Sequence, residues 1–153
     1  MRGLTISAHG DLRQVELRDD LAMPPVGNGE VRVRVRAAAL NHLDLFVVHG
    51  LPGVTITPPW ILGSDGAGAV ESLGPGAGGV KVGDLVVINP GTSDRTCEYC
   101  RAGEQPLCLD YGILGEHRPG TLAEYVVVPA VNVRAIPATI PLECAAAFGL
   151  ATL

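Results

Sequence analysis

The stretch "EVRVRVRAAAL", residues 30 to 40, alternates Val31, Val33 and Val35 with Arg32, Arg34 and Arg36. A period of two over that length predicts a strand with one buried and one charged face. Further strands follow the same logic: residues 1–8 and 13–18 paired through a turn near Gly10, then 63–74, 82–90, 122–129 and 131–137. Twenty glycines and twelve prolines in 153 residues supply the turns between them. Many short strands cut by Gly and Pro predict a mainly β fold, a barrel or sandwich with a few short helices. The helices expected are "NHLDLFVVHG" (41–50), ended by Gly50, and a terminal one over 141–153 after Pro141.

No regular strand–helix alternation is present, which argues against a dinucleotide-binding α/β domain within the chain. "GPGAGG" fits G-x-G-x-x-G through Gly74, Gly76 and Gly79. That fingerprint needs a helix after it to receive the pyrophosphate. Here "VKVGDLVV" follows, so a turn between strands is expected instead. A formal charge of −5 disfavours nucleic acid or an anionic membrane as partner. No stretch approaches a membrane span, and early charges interrupt any signal segment. The expectation is a cytoplasmic protein whose thiols stay reduced, so clustered cysteines favour metal over disulfide.

Residues 91–119 hold "CEYCRAGEQPLC", with Cys97, Cys100 and Cys108 in C-x2-C-x7-C spacing. Counting back by the same interval from Cys97 reaches Asp94. D-x2-C-x2-C-x7-C is a complete four-ligand string, and a closed set of four protein ligands makes a structural zinc site. The lobe has little apolar periodicity, so a metal would supply the order that packing cannot. The alternative is three cysteines left from a lost site beside a solvated Asp94, since aspartate is a poorer partner among thiolates. Cys144, among apolar residues, is expected to be a buried small hydrophobe.

The stretches "ALNHLDLFVVHG", "PPWILGSDGAGAVESLGPGAGGVKVGDLVV", "CEYCRAGEQPLC" and "GTLAEYVVVP" run in one order over nearly the whole chain. Together they resemble the N-terminal GroES-like catalytic domain of the medium-chain dehydrogenase/reductase family, the zinc-type alcohol dehydrogenases and quinone oxidoreductases. The resemblance implies a GroES-like β-barrel over 1–153 bearing a zinc lobe, whose first ligand cysteine is Asp94 here. It also implies a catalytic zinc held by a cysteine, a histidine and a later cysteine or aspartate. Those first two positions are Asn41 and Ser64 here, and asparagine and serine are weak zinc ligands. "FGLATL" offers no third. The proton-relay positions of the family are Leu43 and Phe46, and neither passes a proton.

What remains resembles the zinc-free quinone and enoyl reductase branches, in which an N-x-x-D motif occupies this turn. By that resemblance Asn41, Asp44 and Asp65 form the catalytic group, with Asn41 donating a hydrogen bond toward substrate. The alternatives are a zinc-dependent alcohol dehydrogenase with an unusual metal site built around His42 and Asp65, and a non-catalytic GroES-like scaffold that binds another protein. His42 aligns with a residue near the cofactor pyrophosphate, although a surface histidine is the plainer reading. Asp44 is expected to orient the turn or cap the short helix. The Rossmann domain that binds NAD or NADP in the family would begin just after this chain, so the chain is expected to be either a piece of a longer protein or one that works with a separate cofactor-domain partner. The implied partners are that domain and a small alcohol, quinone or enone, with a homo-oligomer when full length.

Overall fold

The computed structural model describes residues 1–152. Ten strands carry the fold: β1 (Gly3–Ile6), β2 (Val15–Arg18), β3 (Glu30–Ala39), β4 (Trp60–Ile61), β5 (Asp65–Leu73), β6 (Leu85–Ile88), β7 (Gly91–Thr92), β8 (Gly112–Ile113), β9 (Tyr125–Pro129) and β10 (Val133–Ala135). They make a five-stranded sheet in the order β10-β6-β5-β3-β9, a three-stranded sheet β2-β1-β4, and the small hairpin β7-β8. All these pairings are antiparallel. Residues 122–124 stitch the two larger sheets together. Leu4 N–H donates to the Leu122 carbonyl at 2.8 Å, Glu124 N–H to Arg2 at 3.0 Å, and Val35 N–H to Glu124 at 2.9 Å. These bonds close the edges into a barrel, which removes the unpaired strand borders an open sheet would expose.

The alternation of β3 emerges as expected. Val31 and Val33 are fully buried, and they meet Val70, Val86, Ile88, Val126, Val128 and Val133 in the main core. On the opposite face Arg34 and Arg36 are exposed, and Arg32 pairs with Glu71 at 2.7 Å. A second cluster packs Ile6, Trp60 and Leu62 against Val47 and Val48 of α1 (His42–His49). Trp60 also anchors the approach to the lobe, its indole N–H donating to the Gly115 carbonyl at 2.8 Å.

Several expected elements come out differently. The segment 131–137 begins as a 3-10 turn over Ala130–Asn132, leaving only three residues of strand in β10. The terminal helix is α3 (Leu142–Ala146), followed by a 3-10 turn at Leu150–Thr152; the last residue of the expected 141–153 helix lies outside the described residues. Cys144 is exposed, contrary to its reading as a buried hydrophobe. In so short a helix the inward face is taken by Ala145 and Ala146, which pack on Ala67, and the position before them turns outward. The glycine-rich "GPGAGG" is a turn between β5 and β6. A Cβ on Gly74 would overlap the Gly27 carbonyl oxygen, so that glycine serves strand-to-turn packing.

Candidate active site and metal lobe

α1 starts at the end of β3, and its first turn places the candidate catalytic group. Asp44 sits at the third helical position and its Oδ2 accepts the Asn41 backbone N–H at 2.7 Å, one half of a capping box. The expected capping role of Asp44 is therefore present. Asp44 is 7% exposed. Burial raises its pKa above 3.8, opposed by the backbone N–H groups of Asn41 and Gly63 and reinforced by the nearby charge of Asp65.

Asn41 Nδ2 donates to Asp65 Oδ2 at 3.0 Å. Asp65, at the start of β5, is 1% exposed. Its other oxygen accepts the Leu150 backbone N–H at 2.6 Å, and its carbonyl accepts the Thr121 hydroxyl at 2.7 Å. Both carboxylate oxygens are thus engaged. Gly63 makes this placement possible: its φ is +96°, and an added Cβ would press on Leu122 and Thr121. Ser64 is fully buried and its hydroxyl donates to the Leu114 carbonyl at 2.8 Å. It faces the core as a structural anchor. Leu40, Asn41, His42, Asp44 and Leu45 line a shallow concavity of about 270 Å³. His42 is exposed beside the Phe46 ring, with centroids 6.5 Å apart. Asn41, Asp44 and Asp65 therefore lie in one group, joined by the Asn41 hydrogen bonds, and the adjoining His42 is exposed. The roles of Leu150 and Thr121 escaped sequence reasoning, because each contacts Asp65 through a single bond spanning more than fifty residues.

The second site lies in the lobe. Asp94, Cys97, Cys100 and Cys108 bring one ligand atom each to within 4.8 Å of one another. A zinc–sulfur bond of about 2.3 Å places tetrahedral thiolates about 3.8 Å apart, so modest contraction would close this set on an ion. All four cysteines of the chain are free thiols. The short helix α2 (Glu98–Arg101) begins at Cys97, whose Sγ accepts the Cys100 N–H at 3.5 Å. Cys108 Sγ accepts the Asp94 N–H at 3.4 Å. Such bonds favour thiolate over thiol. The Cys100 N–H accordingly lowers the Cys97 pKa, while burial pushes the Cys100 thiol up to about 11. A bound dication reverses such a burial penalty. Asp94 Oδ1 accepts the N–H groups of Cys97 at 3.0 Å and Thr96 at 2.7 Å, which hold its carboxyl far below the usual range. Its second oxygen accepts no backbone N–H, and the carboxylate lies beside the Cys97 and Cys100 thiols, which suits a metal ligand. Among the described residues this is the one cluster of at least three His, Cys, Asp or Glu donors tight enough to hold a metal ion.

Comparison with known proteins completes the picture. Residues 27–138 match the alcohol dehydrogenase GroES-like domain family. The chain belongs to that family. Among curated relatives it is 36% identical over 128 residues to L-threonine 3-dehydrogenase of Pyrococcus horikoshii, covering 82% of this chain and 37% of that one. It is 38% identical over 131 residues to the enzyme of the same name from Anaeromyxobacter sp., covering 84% and 38%. Among solved structures, an NAD-dependent alcohol dehydrogenase superposes with a TM-score of 0.93 at 49% identity, over 98% of this chain and 43% of that one. A cobalt- and zinc-bound thermostable alcohol dehydrogenase from Pyrobaculum aerophilum gives 0.84 at 40% identity, over 95% and 44%. The chain thus spans well under half the length of these relatives. The mainly β, GroES-like barrel expected from the sequence is the fold they share.

Proposed function

We propose that this chain is the substrate-side half of an NAD(P)-dependent oxidoreductase of the alcohol dehydrogenase/quinone oxidoreductase type, working without a catalytic metal. The observation that carries the proposal is the fate of the family's ligand positions. Asn41 is tied to Asp65, Ser64 is buried on the Leu114 carbonyl, and both Asp65 oxygens are spent. Ser64 and both Asp65 oxygens are committed to internal hydrogen bonds, and the one open acceptor, the Asn41 carbonyl, is a weak zinc ligand, so the residues do not fit a catalytic zinc. His42 and Asp65, the pair from which an unusual metal site could have been built, belong to no tight cluster of three donors among the described residues.

A bound nicotinamide would supply the hydride. The chain's own residues hold and orient. Asp65 fixes the plane of the Asn41 amide and leaves its second N–H and its carbonyl to face the concavity, where the N–H can donate to a substrate oxygen as charge develops. Asp44 locks the backbone of the same residue through its cap, so the donor does not swing. The exposed His42 stands where a cofactor phosphate would be met. Leu43 and Phe46 offer no proton path, which favours reduction of a quinone or activated alkene, with the proton taken from water. The threonine and alcohol dehydrogenase names of the relatives favour alcohol oxidation instead, and the assay below separates the two. Reduced lobe thiols support a cytoplasmic setting. The cofactor domain and a homo-oligomeric assembly are further parts of the proposal.

The test is to assay the enzyme joined to its cofactor domain against alcohols and quinones, before and after chelation mild enough to spare the lobe. Quinone or enone reduction should survive chelation. Brisk alcohol oxidation that disappears with the metal would overturn the proposal.

A further inference from the structure

A cavity of about 600 Å³ lies away from the Asn41 turn, between the cysteine lobe and the barrel. Three elements distant in sequence meet there: the tip of the "GPGAGG" turn at Gly78 and Gly79, Arg95 of the lobe, and Arg134 of β10. We propose that this cleft binds a small oxyanion, a phosphate- or carboxylate-bearing molecule held between Arg95 and Arg134.

Charge is the first argument. The chain carries a formal net charge of −5, yet among the described residues no Asp or Glu lines this cavity. Five of its ten arginines are in ion pairs with carboxylates: Arg2, Arg13, Arg18, Arg32 and Arg118. Arg95 and Arg134 have no such partner among the described residues, and both face the cleft. A guanidinium presents a rigid fork of N–H donors that matches carboxylate or phosphate two bonds at a time. Arg34, Arg36 and Arg101 are likewise unpaired among the described residues, but Arg95 and Arg134 are the two that line one concavity, where their forks can act on one anion.

Polar supply is the second. Asn89 spends its side-chain oxygen on the Gly91 N–H at 2.9 Å, and among the described residues its amide nitrogen has no protein acceptor. Tyr111, packed over Gly91 on the same wall, likewise has no hydrogen-bond partner for its hydroxyl. The unspent groups thus include four donors: two guanidiniums, an amide and a phenol. An oxyanion supplies the acceptors such donors lack.

Backbone conformation is the third. Arg95 has φ of +58°, and it is the one described non-glycine residue with positive φ. Such a conformation is uncommon for a side-chain-bearing residue and persists where the surroundings dictate it. Its neighbour Asp94 supplies that constraint, since Asp94 Oδ1 accepts the backbone N–H groups of Thr96 and Cys97 just beyond it. Opposite, Gly78 and Gly79 have no atom within 4 Å of an added Cβ, so the turn leaves open space at the mouth.

This inference is independent of the redox reading, and its test involves no turnover. Zinc-loaded protein is titrated calorimetrically with inorganic phosphate and, separately, with citrate, against sodium chloride at matched ionic strength. Saturable binding of one equivalent of either anion is expected, and the tighter one identifies the class. Arg95→Ala and Arg134→Ala should each weaken it about tenfold, as expected for loss of a charge-assisted pair. Arg134→Lys, which keeps the charge without the fork, should fall between. Arg101→Ala, an exposed lobe arginine outside the cleft, should leave it unchanged. Circular dichroism and retained zinc confirm that each variant is folded. No saturable binding of either anion, or binding that the Arg95 and Arg134 variants retain in full, would overturn the proposal.

Discussion

Asp94 spends one carboxylate oxygen on two backbone N–H groups, and the other is the one proposed to hold a metal. Asp94→Ala removes both functions, and zinc affinity measured by competition with a chromophoric chelator should fall by more than about tenfold. Asp94→Cys should raise it, because a fourth thiolate suits zinc better than a carboxylate. Unchanged affinity in both variants would remove Asp94 from the ligand set. Asp44 offers a separate test through pH. Its folded-state pKa is raised above 3.8 by burial, so the native state holds this proton more tightly than the unfolded chain does. Stability contributed by the protonated form is therefore complete below 3.8 and lost as pH rises through the folded pKa. Asp44→Asn keeps an acceptor for the Asn41 N–H and cannot ionise. Relative to the parent protein, it should gain stability as pH increases over that window, read from urea midpoints at a series of pH values. A difference independent of pH would mean that Asp44 ionises normally in the fold.

At the scale of elements, the lobe and the barrel draw on different sources of order. The barrel core is built from buried valines on five strands. The lobe has two buried cysteines, a helix of four residues and a two-stranded hairpin. Zinc bound there contributes to lobe stability directly, since ligand burial and folding are one equilibrium. Protein purified without added zinc should contain about one equivalent. Stripping it should accelerate amide exchange across residues 91–119 and leave β3, β5 and β6 protected. Uniform loosening of the barrel would show that the two units are coupled. The first turn of α1 is also testable: Asp44→Ala deletes the cap acceptor and should cost about 1 kcal/mol in denaturant unfolding.

At the scale of the whole molecule, every pairing between named strands is antiparallel, and no βαβ unit is present among the described residues. Hydride transfer needs a cofactor held against a substrate in a fixed geometry. The 153-residue chain by itself should therefore show no turnover with NADH or NADPH, and no tight binding of either by fluorescence titration. Measurable turnover would refute the two-domain reading. Among the described residues no helix is long and apolar enough to cross a membrane.

Local periodicity and spacing were enough to read β3, the α1 segment with its stop at Gly50, the strand–turn–strand character of "GPGAGG", and the four-ligand string of the lobe. Each is encoded by neighbours a few residues apart, where side-chain period, glycine conformation and ligand reach act directly. The sequence was silent or misleading where long-range packing decides. β4 is two residues long and exists only because β1 lies beside it. Cys144 looks buried by composition, but a five-residue helix has room for one inward face, and Ala145 and Ala146 occupy it. The Asp65 carboxylate reads as a candidate catalytic group, and only the tertiary structure shows it clamped between Asn41 and the Leu150 N–H. The cleft of Arg95 and Arg134 is the extreme case. Its walls come from segments about forty residues apart, and nothing local to either arginine marks it, because an unpaired charge is defined by what the fold fails to place beside it.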